Sequence, residues 1–146
     1  MILVEPKQIP EQILKDSVLS HIAAAYFSVG KQLERKTRCS ATRGFILSTL
    51  RGGASLNQNQ IARILGFDRT VVHRTIKTLV HEGLLSEKKA PTGRAILISL
   101  TAKGAKYREH LIKARFAADE KVRRALTPND RSTLLRLLKQ IADLEL

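Results

Sequence analysis

Residues 57–83, NQNQIARILGFDRTVVHRTIKTLVHEG, predict two short amphipathic helices separated by a three-residue turn. Asn57 followed by Gln60 has the form of a capping box at the start of the first helix. The turn, residues 66–68, supplies a glycine that can end this helix and an aspartate that can cap the second. Gly83 ends the second helix. Because the turn is so short, the helices must cross steeply, as in a helix-turn-helix.

Each of the two helices has one apolar face. The predicted buried positions are Ile61, Ile64 and Leu65 in the first helix and Val72, Ile76, Leu79 and Val80 in the second. They recur at spacings of three and four residues, which place them on one side of a helix. The sequence therefore predicts that both helices pack on a common core.

The other face of the second helix is polar and basic. It carries Arg69, Thr70, His73, Arg74 and Lys77, with Val71 beside them. Arg, Lys and Thr side chains can contact base edges and phosphates in a major groove, and this helix is predicted to be a recognition helix. The alternative is an ordinary solvated polar face, but the short turn before the helix favours the first interpretation.

A β-hairpin is predicted after the second helix. Residues 84–89 and 95–100 have the pattern of short strands, and Ala-Pro-Thr-Gly at 90–93 forms the turn between them. Lys88, Lys89 and Arg94 make the hairpin basic. A narrow projecting tip with one arginine suits a DNA minor groove. The alternative is an ordinary polar hairpin.

Helices are predicted on both sides of this segment. One long helix spans residues 9–36, and Ser40 is an N-cap for a short helix that Gly52 stops. Thr101 caps a helix over Ala102–Ala125, and Thr127 caps the last helix. The predicted fold is mainly α with a small β-hairpin wing, a winged helix-turn-helix flanked by N- and C-terminal helices.

Composition and charge narrow the class of protein. The chain has 146 residues, 26 Lys and Arg against 13 Asp and Glu, and a net charge of +13. Its length indicates one domain, and it has no apolar run near the ~20 residues that span a bilayer. Residues 61–115 contain twelve basic residues and only four acidic ones. The net charge favours a polyanionic partner, either nucleic acid or an anionic membrane surface, and the clustering fits a phosphate-binding surface better than a role in solubility alone.

From Asn57 to Leu100 the chain resembles the winged helix-turn-helix of the multiple-antibiotic-resistance regulator (MarR) family. The order of the flanking helices is similar too, so the resemblance covers nearly the whole chain. The motifs that carry it are Ile61-Ala62, Gly66, Asp68-Arg69-Thr70, the Leu-x-x-x-Gly-Leu run at 79–84, and Leu100-Thr101-x-x-Gly104.

The resemblance implies a single MarR-type domain over residues 1–146. Residues 40–100 would form the DNA-binding part, and residues 1–39 and 101–146 the dimerisation helices. It implies a homodimer that represses transcription from a pseudo-palindromic site on double-stranded DNA and is released by a small aromatic or anionic effector. A cytoplasmic location is predicted separately, from the single cysteine and from the lack of a signal-peptide pattern over residues 1–10. The alternative is a winged-helix module that binds protein, or binds DNA non-specifically, without an effector.

The resemblance also assigns roles to residues. Thr70, Val71, His73 and Arg74 would face bases, and Asn57, Gln58 and Lys77 would hold phosphates. The predicted DNA-binding set is Asn57, Gln58, Arg69, Thr70, Val71, His73, Arg74, Lys77, Lys88, Lys89 and Arg94. The chain departs from the family at the wing tip, where Thr92-Gly93-Arg94 replaces Asp-x-Arg. His73 stands where a small residue is common, and its protonation would make DNA affinity depend on pH.

The apolar stripes of the first and last helices predict a two-fold dimer, with docking within one chain as the alternative. The predicted interface residues are Ile13, Val18, Ile22, Leu134, Leu138, Ile141 and Leu144. Tyr26, Phe27 and Phe45 are candidates for an effector pocket, or plain core residues.

The sequence contains no motif typical of catalysis, metal binding or cofactor binding. Cys39 is the single cysteine, and cations at Lys36, Arg38 and Arg43 would favour its oxidation. The preferred interpretation is that Cys39 is a small buried apolar residue. A thiol-dependent enzyme would rest on this residue alone, so the chain is predicted not to be an enzyme.

Overall fold

The structure, a computed structural model, describes residues 15–145 of the 146. The described part divides into two compact units after Ala41. The elements in chain order are α1 (Val18–Thr37), α2 (Ala41–Thr49), a 3-10 turn (Arg51–Gly53), β1 (Leu56–Asn57), α3 (Gln58–Leu65), α4 (Arg69–His81), β2 (Leu85–Lys89), β3 (Ile96–Leu100), α5 (Ala102–Ala125) and α6 (Pro128–Ala142). The division of the chain into one DNA-binding part and two dimerisation parts stays a prediction.

The first unit is dominated by α1, and its predicted start is wrong. The helix is interrupted at Ser17, whose backbone is extended with φ −71° and ψ 116°. The Ser17 hydroxyl accepts a hydrogen bond from the Ser20 backbone N–H at 3.2 Å and so caps a new helix from Val18. An apolar periodicity cannot reveal such a break, because a serine that caps a helix also fits a polar position within one. Residues 9–14 lie outside the described residues.

In the second unit, the predicted caps of the helix-turn-helix are confirmed. The Asn57 side chain accepts from the Gln60 N–H at 2.9 Å, and the Gln60 side chain accepts from the Asn57 N–H at 2.8 Å. Gly66 ends α3 with φ 65°, a conformation that glycine adopts without steric cost. Asp68 then caps α4 by accepting from the N–H groups of Thr70 and Val71.

The core of this unit lies between the helix-turn-helix, α2 and the sheet. Its buried members are Ile46, Leu47, Leu50, Ile61, Ala62, Val72, Ile76, Leu79, Leu84, Leu85 and Ile98. The predicted burial of Ile64 is wrong, since its side chain is 61% exposed. At about 100° per residue, Leu65 and Ala62 lie about 40° and 100° from Ile61 around the helix, whereas Ile64 lies about 60° on the other side. Ala62, not Ile64, therefore completes the buried face.

The wing is part of a three-stranded antiparallel sheet with the order β1-β3-β2. Leu85 pairs with Leu100 and Lys89 with Ile96 across the hairpin. Strand β1, in which Leu56 pairs with Ile98, was not predicted. A two-residue strand carries no periodicity of its own, and the exposed edge of β3 provides its hydrogen-bonding partner. Both hairpin strands also begin one residue later than predicted.

The two C-terminal helices begin at the predicted caps. The Thr101 hydroxyl accepts from the Gly104 N–H at 2.9 Å and donates to the Gly83 carbonyl oxygen at 2.6 Å. This anchors the start of α5 to the segment between α4 and β2. Thr127 caps α6 by accepting from the Asp130 N–H at 3.1 Å. Among residues 15–145, no helix combines the length and the apolar composition that crossing a bilayer requires.

Candidate nucleic-acid interface

Helix α4 spans the residues for which the sequence predicts a recognition helix, and it buries the predicted apolar face. Val72, Ile76 and Leu79 are buried and fix its rotation about its own axis. The opposite face is open to solvent. Its exposed members are Arg69, Thr70, Val71, His73, Arg74 and Lys77. The structure thus brings the predicted base-facing side chains together on one accessible surface.

The N-terminal end of α4 is closely supported. The N–H groups of Thr70 and Val71 donate to Asp68, and this hydrogen bonding holds the pKa of its carboxyl below the ordinary value of 3.8. The Asp68 carboxylate therefore stays ionised, and continues to cap α4, to a lower pH than an ordinary aspartate would. Gln58, at the start of α3, lies beside this turn and contacts both Arg69 and His73.

The C-terminal end of α4 is tied to two other helices. Arg43 of α2 donates through both terminal guanidinium nitrogens to the Glu82 carboxylate. Lys103 of α5 donates to the Glu82 carbonyl oxygen at 2.8 Å. Hydrogen bonding from Arg43 is the main reason why the pKa of Glu82 lies below its ordinary value of 4.5. These contacts hold the C-terminal end of α4 between α2 and α5.

Replacing Glu82 with Gln is expected to lower the free energy of unfolding by about 1 kcal/mol near neutral pH, because the pair is partly exposed to solvent. The folded-state pKa is lower than the unfolded one, so this contribution is present above pH ~4.5 and lost as the pH falls through the folded-state pKa. Urea unfolding of both proteins at two pH values measures the effect. Glu120→Gln is the control, since Glu120 pairs with Arg124 within a single helix. The prediction is contradicted if the difference in the free energy of unfolding between the wild-type protein and Glu82→Gln increases as the pH is lowered.

The wing presents the predicted basic side chains. Lys88, Lys89 and Arg94 are exposed, and in the part of the chain that the structure describes none of their side chains forms a hydrogen bond or ion pair. A backbone hydrogen bond from Ala90 to Ala95 closes the turn at 2.8 Å. Gly93 adopts φ 82°, a left-handed conformation that glycine reaches without steric cost. Arg94 is therefore presented by turn geometry and not by a neighbouring carboxylate.

Lys77 is engaged in the free protein. Its ammonium lies 3.3 Å from a carboxylate oxygen of Glu87 in β2, so the pair links the recognition helix to the wing. A phosphate at Lys77 would compete with Glu87 or share the ammonium with it. No role was predicted for Glu87. No local pattern in the sequence indicates this ion pair, because Lys77 and Glu87 are 10 residues apart and lie in different elements.

The two other predicted phosphate contacts also have structural partners. The Asn57 side-chain oxygen Oδ1 caps α3, and the Gln58 amide is shared between Arg69 and His73. Their contact with phosphate stays a prediction. The Arg43–Glu82 pair was not predicted, because its members are 39 residues apart and only the fold brings them together.

The roles of the remaining candidate residues stay predictions. Tyr26 and Phe27 have ring centroids 5.7 Å apart, and Phe45 packs edge to face against Phe67 at 6.0 Å. Cys39 is buried with 6% of its surface exposed, as its preferred interpretation requires. The predicted interface residues within the described part are only partly buried or exposed: Val18, Ile22, Leu134, Leu138, Ile141 and Leu144. Ile13 lies outside the described residues.

The chain is similar to known helix-turn-helix proteins. The family model for the IclR helix-turn-helix domain matches residues 40–88, which include α3 and α4 but not β3. No curated protein matches the chain. Solved structures match over almost its whole length, at low sequence identity.

Three of these structures illustrate the match. A mutant of MarR from E. coli, complexed with operator DNA, has a TM-score of 0.80 at 19% identity, covering 91% of this chain and 99% of the other. The repressor CouR, bound to a 23-mer DNA duplex, has a TM-score of 0.80 at 21% identity and coverages of 92% and 99%. PcaV from Streptomyces coelicolor, with its natural ligand, has a TM-score of 0.72 at 20% identity and coverages of 98% and 98%. The chain therefore has the winged helix-turn-helix fold of the MarR-type regulators.

Proposed function

We propose that the chain is a sequence-specific DNA-binding transcription regulator. The observation that carries this proposal is the solvent-exposed face of α4, where Arg69, Thr70, Val71, His73 and Arg74 lie together. Side chains of these types at the start of a recognition helix are those that contact base edges in a major groove. MarR and CouR, which share the fold, were each solved with DNA.

The pairing of the charges supports a phosphate-binding surface. All four acidic residues between 61 and 115 are engaged: Asp68 caps α4, and Glu82, Glu87 and Glu109 pair with Arg43, Lys77 and Lys113. In contrast, Arg69, Arg74 and the basic residues of the wing form no ion pair within residues 15–145. Positive charge without an internal ion pair is therefore present on the exposed face of α4 and on the wing, where the DNA backbone would run.

The homodimer is part of the proposal. Helix α6 buries none of its residues, and several leucines along it are exposed, among them Leu135 at 62%. Phe116 of α5 is 71% exposed. A second copy that covers these residues would remove an apolar surface from water. It would also place two recognition helices about one DNA turn, roughly 34 Å, apart on a pseudo-palindromic site.

Repression and release by an effector complete the proposal. A ligand that favours a different spacing of the two recognition helices would weaken DNA binding by its differential affinity for the two states. Tyr26, Phe27 and Phe45 stay separate candidates, from the sequence, for contact with a small aromatic or anionic effector. PcaV, with the same fold, was solved with its natural ligand.

Recovery of genomic fragments by the purified protein at low and near-physiological salt tests the proposal. A short palindrome that survives the higher salt, together with a dimeric mass by sedimentation, is the expected result. Retention that is independent of sequence and disappears with salt would instead identify a non-specific module. A protein that retains no DNA at either salt contradicts the whole proposal, and protein–protein interaction then becomes the working hypothesis.

Lys77 and Glu87 should have opposite effects on DNA affinity. Lys77→Ala is expected to weaken binding evenly across sequences and to lower the salt slope by about one. Glu87→Gln removes the competing carboxylate 3.3 Å from the ammonium, so binding should strengthen for every sequence. Fluorescence anisotropy at several salt concentrations measures both variants, with Glu120→Gln as a control for the loss of one negative charge. A change of preferred sequence in Lys77→Ala would show that Lys77 contacts a base.

A further inference from the structure

His73 is held in one orientation on the exposed face of α4. Its ring nitrogen Nδ1 lies 2.8 Å from the side-chain oxygen Oε1 of Gln58, in the first turn of α3. The nitrogen Nε2 of the same Gln58 amide donates to the Arg69 carbonyl oxygen at 3.4 Å. One amide thus connects the start of α3 with two successive turns of α4.

These two contacts determine which ring nitrogen of His73 carries a proton. With the amide reversed, its oxygen would face the Arg69 carbonyl oxygen, and two acceptors would oppose each other. The observed orientation satisfies both ends of the amide. Because Oε1 has no proton to donate, Nδ1 of His73 must be the donor.

The remaining ring nitrogen, Nε2, is then an acceptor in the neutral imidazole. His73 is exposed, and in the described part of the chain only Nδ1 of its ring has a hydrogen-bond partner. In a major groove, adenine N6 and cytosine N4 are amino donors, whereas guanine N7 and O6 and thymine O4 are acceptors. An unprotonated Nε2 therefore matches adenine or cytosine and opposes guanine or thymine.

We propose that His73 is a specificity-determining residue that selects an amino-bearing base, with its tautomer set by Gln58. This proposal rests on the proposed function, because it requires α4 to lie in a major groove. His73 contacts the base, and Gln58 acts through His73 as a positioning residue. The selected position in each half-site is expected to hold adenine or cytosine on the contacted strand.

The probe is the duplex that the wild-type protein enriches from a randomised pool. Single adenines in it are replaced by purine, which lacks the N6 amino group, and single cytosines by 2-pyrimidinone, which lacks the N4 amino group. At one position per half-site, loss of the amino group is expected to weaken wild-type binding by about 5- to 10-fold, the worth of one hydrogen bond. His73→Ala should bind the two duplexes equally well.

Gln58→Ala tests the positioning role. It retains the imidazole but frees its tautomer, so sensitivity to the amino group should fall at the same position although Gln58 does not touch that base. Asn59→Ala, an exposed neighbour in the same turn, is the matched control and should keep the full sensitivity. Circular dichroism and thermal unfolding verify that all variants are folded.

The outcomes separate this proposal from the proposed function. If the wild-type protein enriches no sequence, the regulator proposal fails and this one fails with it. If it enriches a sequence but His73→Ala keeps the amino-group sensitivity, only the role of His73 is overturned. If His73→Ala loses the sensitivity while Gln58→Ala retains it, the assignment of the tautomer to Gln58 is overturned.

Discussion

Replacement of Gly104 by alanine is expected to lower the free energy of unfolding by about 3 kcal/mol, since the backbone must move to admit the methyl group. A Cβ atom built on Gly104 would lie 1.9 Å from the Leu84 carbonyl oxygen and 2.9 Å from the Leu84 carbonyl carbon. That oxygen accepts a hydrogen bond from the Thr101 backbone N–H at 3.2 Å. It cannot withdraw without breaking the junction between the wing and α5.

The expected loss of stability is opposite to what helix propensity alone would predict for a change from glycine to alanine. Gly104 lies in the first turn of α5, and alanine in a helix is favoured over glycine by about 1 kcal/mol. Gly44 of α2 is the matched control, because a Cβ built there meets nothing within 4 Å. Gly44→Ala should therefore stabilise the protein or leave it unchanged.

Thermal and urea unfolding at one protein concentration measure both variants. A loss of about 3 kcal/mol corresponds to a decrease in Tm of roughly 10 °C for a chain of this size. If Gly104→Ala unfolds at the wild-type temperature, α5 does not approach Leu84 as closely as the structure indicates. If both alanine variants are destabilised equally, the effect is not due to the contact with Leu84.

Arg74→Ala is expected to weaken binding to the specific site by about 1–3 kcal/mol, or roughly 5- to 150-fold in Kd. Arg74 lies on the exposed face of α4, and its guanidinium forms no hydrogen bond or ion pair within residues 15–145. The group is therefore available for two parallel hydrogen bonds to guanine. Because a lysine cannot form this planar pair, Arg74→Lys should recover only part of the affinity.

The distribution of the loss among sequences distinguishes a base contact from a phosphate contact. If Arg74 contacts a base, its removal flattens the preference at one position of each half-site and leaves the other positions unchanged. Binding to duplexes that differ at single base pairs measures this. Arg123→Ala, an exposed arginine near the end of α5, is the control for the loss of one positive charge. A uniform loss across all duplexes would assign Arg74 to the phosphate backbone.

Features encoded within a few residues could be predicted from the sequence. The capping box of Asn57 and Gln60, the cap at Asp68 and the caps at Thr101 and Thr127 are all present where predicted. Each depends on a side chain reaching a backbone N–H two or three residues away, so no distant contact is needed. The apolar face of α4 is predictable for the same reason, since helical periodicity is local.

Predictions were less successful where the deciding partner is distant in sequence or where two local structures compete. The short strand β1 exists because the edge of β3, some forty residues later, pairs with it. Ile64 has the spacing of a buried residue, but packing against α4 and the sheet selects a face that excludes it. The break at Ser17 was missed because the same serine fits a helix interior and a cap.

The sequence by itself determined the helix-turn-helix, the basic face of α4 and the excess of positive charge, because these follow from local hydrogen bonds, helical periodicity and composition. Only the tertiary structure decided which charged groups are engaged. It pairs Lys77 with Glu87 and Arg43 with Glu82, and it places Gln58 against His73. These contacts join residues 10 to 39 positions apart, so their geometry depends on how the helices and the wing pack.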